Sequence, residues 1–139
     1  MVNGRSILNI LFPEIYKMKN VLLVGLGGGI GSMLRYGSSL LFSARHFPYS
    51  TLAVNIIGSF IIGLVLALSV KNDAFDTSWK LFLATGICGG FTTFSAFSME
   101  NLQLLQAGKY TIALCYTLIS IGLGIAAAWA GFKLITFNS

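Results

Sequence analysis

The chain has 139 residues, of which 55% are hydrophobic and only 9% carry a charge at neutral pH. So little charge excludes an ordinary soluble helical domain, because the apolar runs lack the polar faces that such helices need. The net charge of +5 comes from basic residues scattered singly at the edges of apolar stretches. That pattern is typical of contact with lipid headgroups and not of nucleic-acid binding.

Four uncharged stretches predict membrane-spanning helices. Three of them match the roughly 20 residues that a span requires, and the first does so only if it continues past Arg35. The stretches cover residues 20–34, 46–70, 81–99 and 110–132. We therefore predict an all-α membrane protein with four transmembrane helices, short loops and one channel domain over residues 19–139.

Residues 1–18 are predicted to be an N-terminal extension. Their apolar run, Ile7–Phe12, is too short for the core of a signal peptide, and no small-residue cleavage site follows Pro13. Met18, followed by Lys19 and a long apolar run, would itself make a natural start.

Helix one is predicted at Val21–Phe42 and is rich in glycine. None of its glycine spacings satisfies the Gly-x-Gly-x-x-Gly pattern of a dinucleotide loop. The pairs Gly25/Gly29 and Gly27/Gly31 fit the small-xxx-small pattern instead, which predicts close helix packing in lipid.

Helix two is predicted at Tyr49–Val70, and a polar loop at Lys71–Ser78 follows it. One face of the helix carries small or polar residues at a spacing of four, namely Thr51, Asn55, Ser59 and Gly63. A buried amide such as that of Asn55 is costly in lipid unless it is paired. Both an interhelical contact and an ion pathway would explain it.

Helix three is predicted at Trp79–Gln106, with an interruption near Gly89–Thr92. The run 86–98 combines three glycines with hydroxyl side chains and three phenylalanines. Backbone groups freed at membrane depth are tolerated only where protein or a water-filled cavity satisfies them. We interpret the run as the lining of a permeation path, and the freed carbonyls as candidate cation ligands.

Helix four is predicted at Tyr110–Ile135 and places Tyr116, Ser120 and Gly124 on one face. Three polar stripes and one broken helix together favour a permeation path. Because the span interiors offer neutral donors and no carboxylate, with Glu100 toward an end, the path suits an anion better than a cation. Cys88 and Cys115 are interpreted as buried small residues.

The edges of the Phe94 and Phe97 rings carry partial positive charge and could also face an anion, although helix packing alone would explain these residues too. Four helices are too few to enclose a hydrated pore, whereas two copies in opposite orientations would suffice. Lysine and arginine show only a modest bias between the two ends, which permits both orientations.

Three segments give the chain a family resemblance. Residues 28–36 (GGIGSMLRY), 51–58 (TLAVNIIG) and 89–100 (GGFTTFSAFSME) together resemble the Fluc (CrcB) fluoride channels, in the same order and spacing. The resemblance covers essentially residues 18–135, and the third segment is the most specific.

The resemblance implies an antiparallel, dual-topology homodimer in the inner membrane that lets fluoride leave the cytoplasm passively and so relieves its toxicity. It implies a structural sodium ion at the dimer centre, which is not transported and is held by the carbonyls of Gly89 and Thr92. It further implies fluoride-pathway roles for Asn55, Phe94, Phe97, Tyr116 and Ser120, with Thr93, Ser95 and Arg35 as supporting residues.

The sequence argues against three other classes of protein. A small multidrug-type antiporter also uses four helices, but it needs a carboxylate in helix one, where this chain has Arg35 and no acid. A non-transporting scaffold would explain the glycines and not the polar stripes. An enzyme is disfavoured because the single histidine, His46, has no nucleophile or metal set near it in the sequence.

Overall fold

The computed structural model describes residues 13–41, 47–71 and 76–137. Within these ranges the chain is helical and contains no strand. The elements are α1 (Pro13–Leu41), α2 (Tyr49–Lys71), α3 (Thr77–Lys80), a π-helical segment (Leu81–Cys88), α4 (Gly89–Phe91), α5 (Phe94–Gln106) and α6 (Tyr110–Thr136).

By length and composition, the segments Tyr49–Lys71, Thr77–Gln106 and Tyr110–Thr136 could each cross a membrane. The predicted all-helical membrane architecture is therefore confirmed for three spans. α1 is not among them, because its glycines, serines and charged residues lower its hydropathy below that of the others. A membrane-spanning role for α1 stays a prediction.

The start of α1 was predicted wrongly. The helix begins at Pro13 and not at Val21, so it reaches into the predicted extension. Proline suits the first turn of a helix because its fixed φ is helical and its missing N–H has no partner there anyway. The other predicted helix ends fall within two residues of the observed ones, and Phe42, with residues 1–12, lies outside the described residues.

The polar loop before helix three is shorter than predicted. Asp76 caps α3, with its carboxylate accepting a hydrogen bond from Ser78 N at 3.0 Å, so Thr77 and Ser78 are already helical. The cap satisfies one of the N–H groups that the first turn leaves without a partner. Residues 72–75 of this predicted loop lie outside the described residues.

Glycines bring the helices together at two crossings. A Cβ on Gly27 or Gly31 of α1 would overlap Phe82 O or Ile87 O of the π-helical segment, and one on Gly63 of α2 would overlap Ala128 O of α6. The predicted packing role of the Gly27/Gly31 pair is thus confirmed. Apart from the neighbouring backbone of α1 itself, no described residue lies within 4 Å of a Cβ added to Gly25 or Gly29, so this pair makes no close contact with the other described helices.

The interior of the single chain is small. The largest fully buried side chains among the described residues are Val54, Cys88 and Tyr116, whereas many large apolar side chains of α6 face outward. Cys115 is one of the exposed residues, so its interpretation as a buried residue was wrong. Such broad apolar exposure fits a surface that meets lipid or another protein chain.

Candidate functional site

The backbone leaves helical geometry between α4 and α5. Thr92 (φ −75°, ψ 155°) and Thr93 (φ −152°, ψ 113°) are both extended. In a regular helix, the N–H of Thr93 would donate to the carbonyl of Gly89, and the N–H of Ala96 to that of Thr92. Because Thr92 and Thr93 are extended, the N–H groups of Thr93 and Ala96 form hydrogen bonds with other partners. These hydrogen bonds define the candidate site.

The side chain of Asn55 on α2 forms hydrogen bonds with both the N–H and the C=O of Thr93. Its Oδ1 accepts from Thr93 N at 2.8 Å, and its Nδ2 donates to Thr93 O at 3.3 Å. Because an amide group carries two N–H bonds, one donor of Asn55 is not used by these two contacts. The side chain thus holds the extended peptide in place and offers a further donor beside it.

The Thr93 side chain caps the N-terminus of α5. Its hydroxyl accepts from Ala96 N at 3.1 Å and lies 3.2 Å from the Ser95 hydroxyl, while the residue is only 7% exposed. Asn55, Thr93 and Ser95 therefore form a continuous line of hydrogen-bonding groups. The sequence predicted these three residues only as parts of one permeation path and not as hydrogen-bond partners.

Three aromatic rings form a row next to this line. The centroids of Phe94 and Phe97 are 5.7 Å apart, and those of Phe97 and Tyr116 are 5.1 Å apart. Phe94 is 79% exposed, whereas Tyr116 is fully buried. The row therefore runs from the interior of the chain to its surface.

Glu100 was not predicted as a site residue. Its Oε1 accepts from the Thr51 hydroxyl at 2.6 Å, and its Oε2 accepts from the Tyr116 hydroxyl at 2.7 Å. The signal in the sequence was helical spacing, since Glu100 lies one turn after Phe97 on the same face. Two hydroxyl donors thus compensate a carboxylate within a candidate membrane span.

A cleft of about 490 Å³ opens beside these groups. Its wall includes Arg35 of α1, Thr51 of α2, and Thr93, Ser95 and Glu100 of the third helical stretch. The cleft therefore brings a guanidinium group close to the line of hydroxyl groups. Phe94, Phe97 and Ser120 do not contribute to its wall.

Ser120 lies one turn beyond Tyr116 on α6. Its hydroxyl oxygen is buried and has no hydrogen-bond partner among the described residues. A Cβ on Gly124 would come within 3.7 Å of the Ser59 hydroxyl, so the stripes of α2 and α6 do approach each other. Among the described residues, no hydrogen bond links Ser120 to Glu100 or to its two hydroxyl donors.

The carbonyls of Gly89 and Thr92 were predicted to bind a metal ion. Their usual donors are directed elsewhere, because Thr93 N donates to Asn55 and Ala96 N donates to Thr93 Oγ1. Unwound carbonyls of this kind suit a hard monovalent cation such as sodium. The described residues contain no group of three or more His, Cys, Asp or Glu side chains that could hold a metal ion.

These features define an α-helical membrane protein with several spans and a track of polar and aromatic side chains beside the non-helical pair Thr92–Thr93. The track comprises Asn55, Thr93, Phe94, Ser95, Phe97, Glu100 and Tyr116. Residues 22–132 match the family described as CrcB-like protein, Camphor Resistance (CrcB), and the chain belongs to this family.

Relatives match over nearly their whole length, and each bears the name fluoride-specific ion channel FluC. One from Azobacteroides pseudotrichonymphae genomovar. CFP2 is 49% identical over 123 residues, which cover 86% of this chain and 98% of the relative. One from Thermus thermophilus is 49% identical over 120 residues, with coverages of 84% and 95%. A third, from Flavobacterium psychrophilum, is 46% identical over 117 residues, with coverages of 82% and 94%.

Proposed function

We propose that this protein is a fluoride-selective ion channel that lets fluoride leave the cytoplasm passively and so lowers its toxicity. The observation that carries the proposal is the identity of 49% to a fluoride-specific ion channel across 98% of that relative's length. A channel of this kind catalyses no reaction, so the protein is not an enzyme. The antiporter and scaffold alternatives gain no support from the site.

The track supports passage of a small hydrated anion. Fluoride holds its water strongly, so many donors must replace that water along the way. Asn55, Thr93 and Ser95 supply amide and hydroxyl groups, and the rings supply positive edges. Ser120, one turn beyond Tyr116, adds a buried hydroxyl that has no partner among the described residues. Neutral donors replace water without trapping the ion as a fixed positive charge would.

Arg35 and Glu100 set the charge at the cleft. The guanidinium of Arg35 raises the local concentration of anions at the entrance, before they reach the hydroxyl line. The carboxylate of Glu100 accepts a hydrogen bond from the hydroxyl of Thr51 and one from that of Tyr116, so neither hydroxyl donates to an anion in this arrangement. The face that Tyr116 offers to an anion here is therefore its ring edge.

We infer that the third transmembrane helix is interrupted at Thr92–Thr93 and that the interruption holds a structural sodium ion. The carbonyls of Gly89 and Thr92, freed from their helical donors, would be its ligands, and the ion would supply a fixed positive charge that stabilises the non-helical backbone. The residues themselves fit this role because they offer neutral oxygen atoms.

The complete channel is inferred to be an antiparallel homodimer in the inner membrane, with α1 as the fourth span of each copy. Phe94 is 79% exposed although it lies in the track, so a single chain leaves one side of the path open. A second copy, inserted in the opposite orientation, would cover that side and bring the two interruptions together. The outer surface of this dimer would contact membrane lipid.

Reconstitution tests the proposed function directly. Purified protein in liposomes is expected to release trapped fluoride, followed with a fluoride electrode, and largely to retain chloride. Empty liposomes give the background, and Phe94→Ile protein, which keeps an apolar side chain but no ring edge, is the matched variant and is expected to be slower. Fluoride release no faster than that of empty liposomes, or equal release of chloride, would refute the proposal.

A further inference from the structure

Two polar side chains next to the track are not part of it. Asn101 of α5 and Thr117 of α6 each follow a track residue directly, namely Glu100 and Tyr116. The Thr117 hydroxyl donates to Asn101 Oδ1 at 3.1 Å, and Asn101 Nδ2 donates to Phe97 O at 3.0 Å. A chain of two hydrogen bonds thus runs from α6 to the backbone of Phe97.

The two bonds fix the orientation of the Asn101 amide. If the amide were reversed, its oxygen would face the carbonyl oxygen of Phe97. The hydrogen bond to the backbone would be lost, and the two oxygen atoms would repel each other. The Asn101 side chain therefore has one favourable arrangement. Because it contacts both helices in that arrangement, it transmits the position of α6 to the turn that carries Phe97.

The pair doubles an existing link between the helices. Tyr116 donates to Glu100 at 2.7 Å, and Thr117 donates to Asn101 at 3.1 Å, so two successive residues of α6 contact two successive residues of α5. Successive residues lie about 100° apart around a helix. Two links in different directions restrain the rotation of α5 against α6 more than one link alone.

We propose that Asn101 and Thr117 form a positioning pair that holds the Phe97 ring against Tyr116, and that fluoride passage depends on this position. The proposal rests on the proposed function. The Phe97 ring lies between Phe94 and Tyr116, with centroid distances of 5.7 and 5.1 Å. The Phe97 ring lies farther from the axis of α5 than the backbone does, so a small rotation of the helix moves the ring more. We therefore expect loss of the pair to change the row of rings most.

The central variant is Thr117→Val, which keeps the shape of the side chain and removes only the hydroxyl. We expect fluoride release to slow by about three- to tenfold, the effect of losing one interhelical hydrogen bond in a membrane. Thr117→Ser restores the hydroxyl and is expected to return release to within about twofold of the original rate. Thr111→Val is the matched control, because Thr111 is an exposed residue of the same helix.

Asn101→Leu removes the other partner with little change in size. It is expected to slow release as Thr117→Val does, and the double variant is expected to be no slower than either single one, because all three remove the same link. Losses that multiply in the double variant would overturn the proposal. Should Thr117→Val fail to fold, Asn101→Leu tests the same link from α5.

The position of the ring is read separately from the rate. With 4-fluorophenylalanine placed at Phe97, the ¹⁹F resonance is expected to shift or broaden in Thr117→Val and to return in Thr117→Ser. A slower rate with an unchanged resonance, or a changed resonance at the original rate, would overturn the proposal. If the unaltered protein released no fluoride, the proposed function would fail, and an unchanged resonance would refute the positioning role on its own.

Discussion

Asn55 replaces, with one side chain, the backbone partner that the N–H of Thr93 loses where the helix is interrupted. A buried backbone N–H without a partner costs about 1–3 kcal/mol, and Thr93 would leave one such group. Asn55 Oδ1 accepts from it at 2.8 Å, and Asn55 Nδ2 adds a second contact to Thr93 O at 3.3 Å. An extended pair of residues can therefore persist inside an apolar helical stretch.

Asn55→Asp is expected to damage the site because it keeps the acceptor and removes the donor. The second carboxylate oxygen would face Thr93 O, with repulsion in place of a hydrogen bond. We expect a loss of about 1–3 kcal/mol in the free energy of unfolding and fluoride release about tenfold slower. Thermal unfolding in detergent and electrode-followed release measure the two effects.

Ser69→Ala is the control for this substitution. Its hydroxyl donates to Val65 O within the same helix, α2, and contacts no residue of the track. Its loss is expected to leave release unchanged. Release by Asn55→Asp at the rate of the Ser69→Ala protein would show that the amide has no role in the path.

The sequence predicted Asn55, Thr93 and the phenylalanines because their types and spacing are unusual for a lipid-facing helix. It did not predict Glu100. An acidic residue at the end of an uncharged run is usually taken to face the headgroups, and no local pattern shows that two hydroxyl groups from other helices will reach it. Contacts such as Thr51 to Glu100, 49 positions apart, depend on how the helices pack.

At the level of the helices, glycine spacing showed that α1 packs closely and did not show which side does so. Gly25/Gly29 and Gly27/Gly31 have the same spacing, yet only the second pair meets the π-helical segment. The unusual winding of Leu81–Cys88 was not predicted, since no residue type marks it. The sequence does not show the early start at Pro13, because a proline after a short apolar run fits the end of a segment as well as a first helical residue.

Gly31→Ala is expected to destabilise the fold. The added Cβ would overlap Ile87 O, which belongs to the backbone of the π-helical segment and cannot move aside as a flexible side chain would. We expect a loss of about 1–3 kcal/mol in the free energy of unfolding, measured by thermal unfolding in detergent.

Gly25→Ala is the matched control, because Gly25 lies in the same helix and no described residue of another helix comes within 4 Å of the added Cβ. It is expected to be neutral or slightly stabilising, because alanine favours the helix over glycine. Equal losses from the two substitutions would mean that the close approach of α1 to the π-helical segment does not limit stability.

At the scale of the whole molecule, most of the lysines lie at one end of the helical bundle. Lys71 Nζ donates to Ile135 O at 3.4 Å, so α2 and α6 finish at the same end of the bundle, near Lys133. α1 runs parallel to the π-helical segment, because Gly27 lies against Phe82 and Gly31 against Ile87. The lysines at the start of α1 and at Lys80 therefore belong to this end too.

This grouping favours the end with the lysines on the cytoplasmic side, whereas an antiparallel dimer requires both orientations. The effect of each charge is limited, and Lys109 and Arg35 oppose the bias from the other end. We expect the chain to insert both ways in comparable amounts. Fusions at the C-terminus measure this, with green fluorescent protein, which fluoresces inside, and alkaline phosphatase, which is active outside.

Both fusions are expected to be active, and charge should shift their ratio. Lys71→Gln with Lys80→Gln removes two charges from the lysine end and should favour the orientation that places that end outside. Gln106→Lys with Ala107→Lys adds two charges at the opposite end and should shift the ratio the same way. Activity of one fusion alone in the unaltered chain would rule out an antiparallel pair of identical copies, and the open side of the track at Phe94 would then require a different partner.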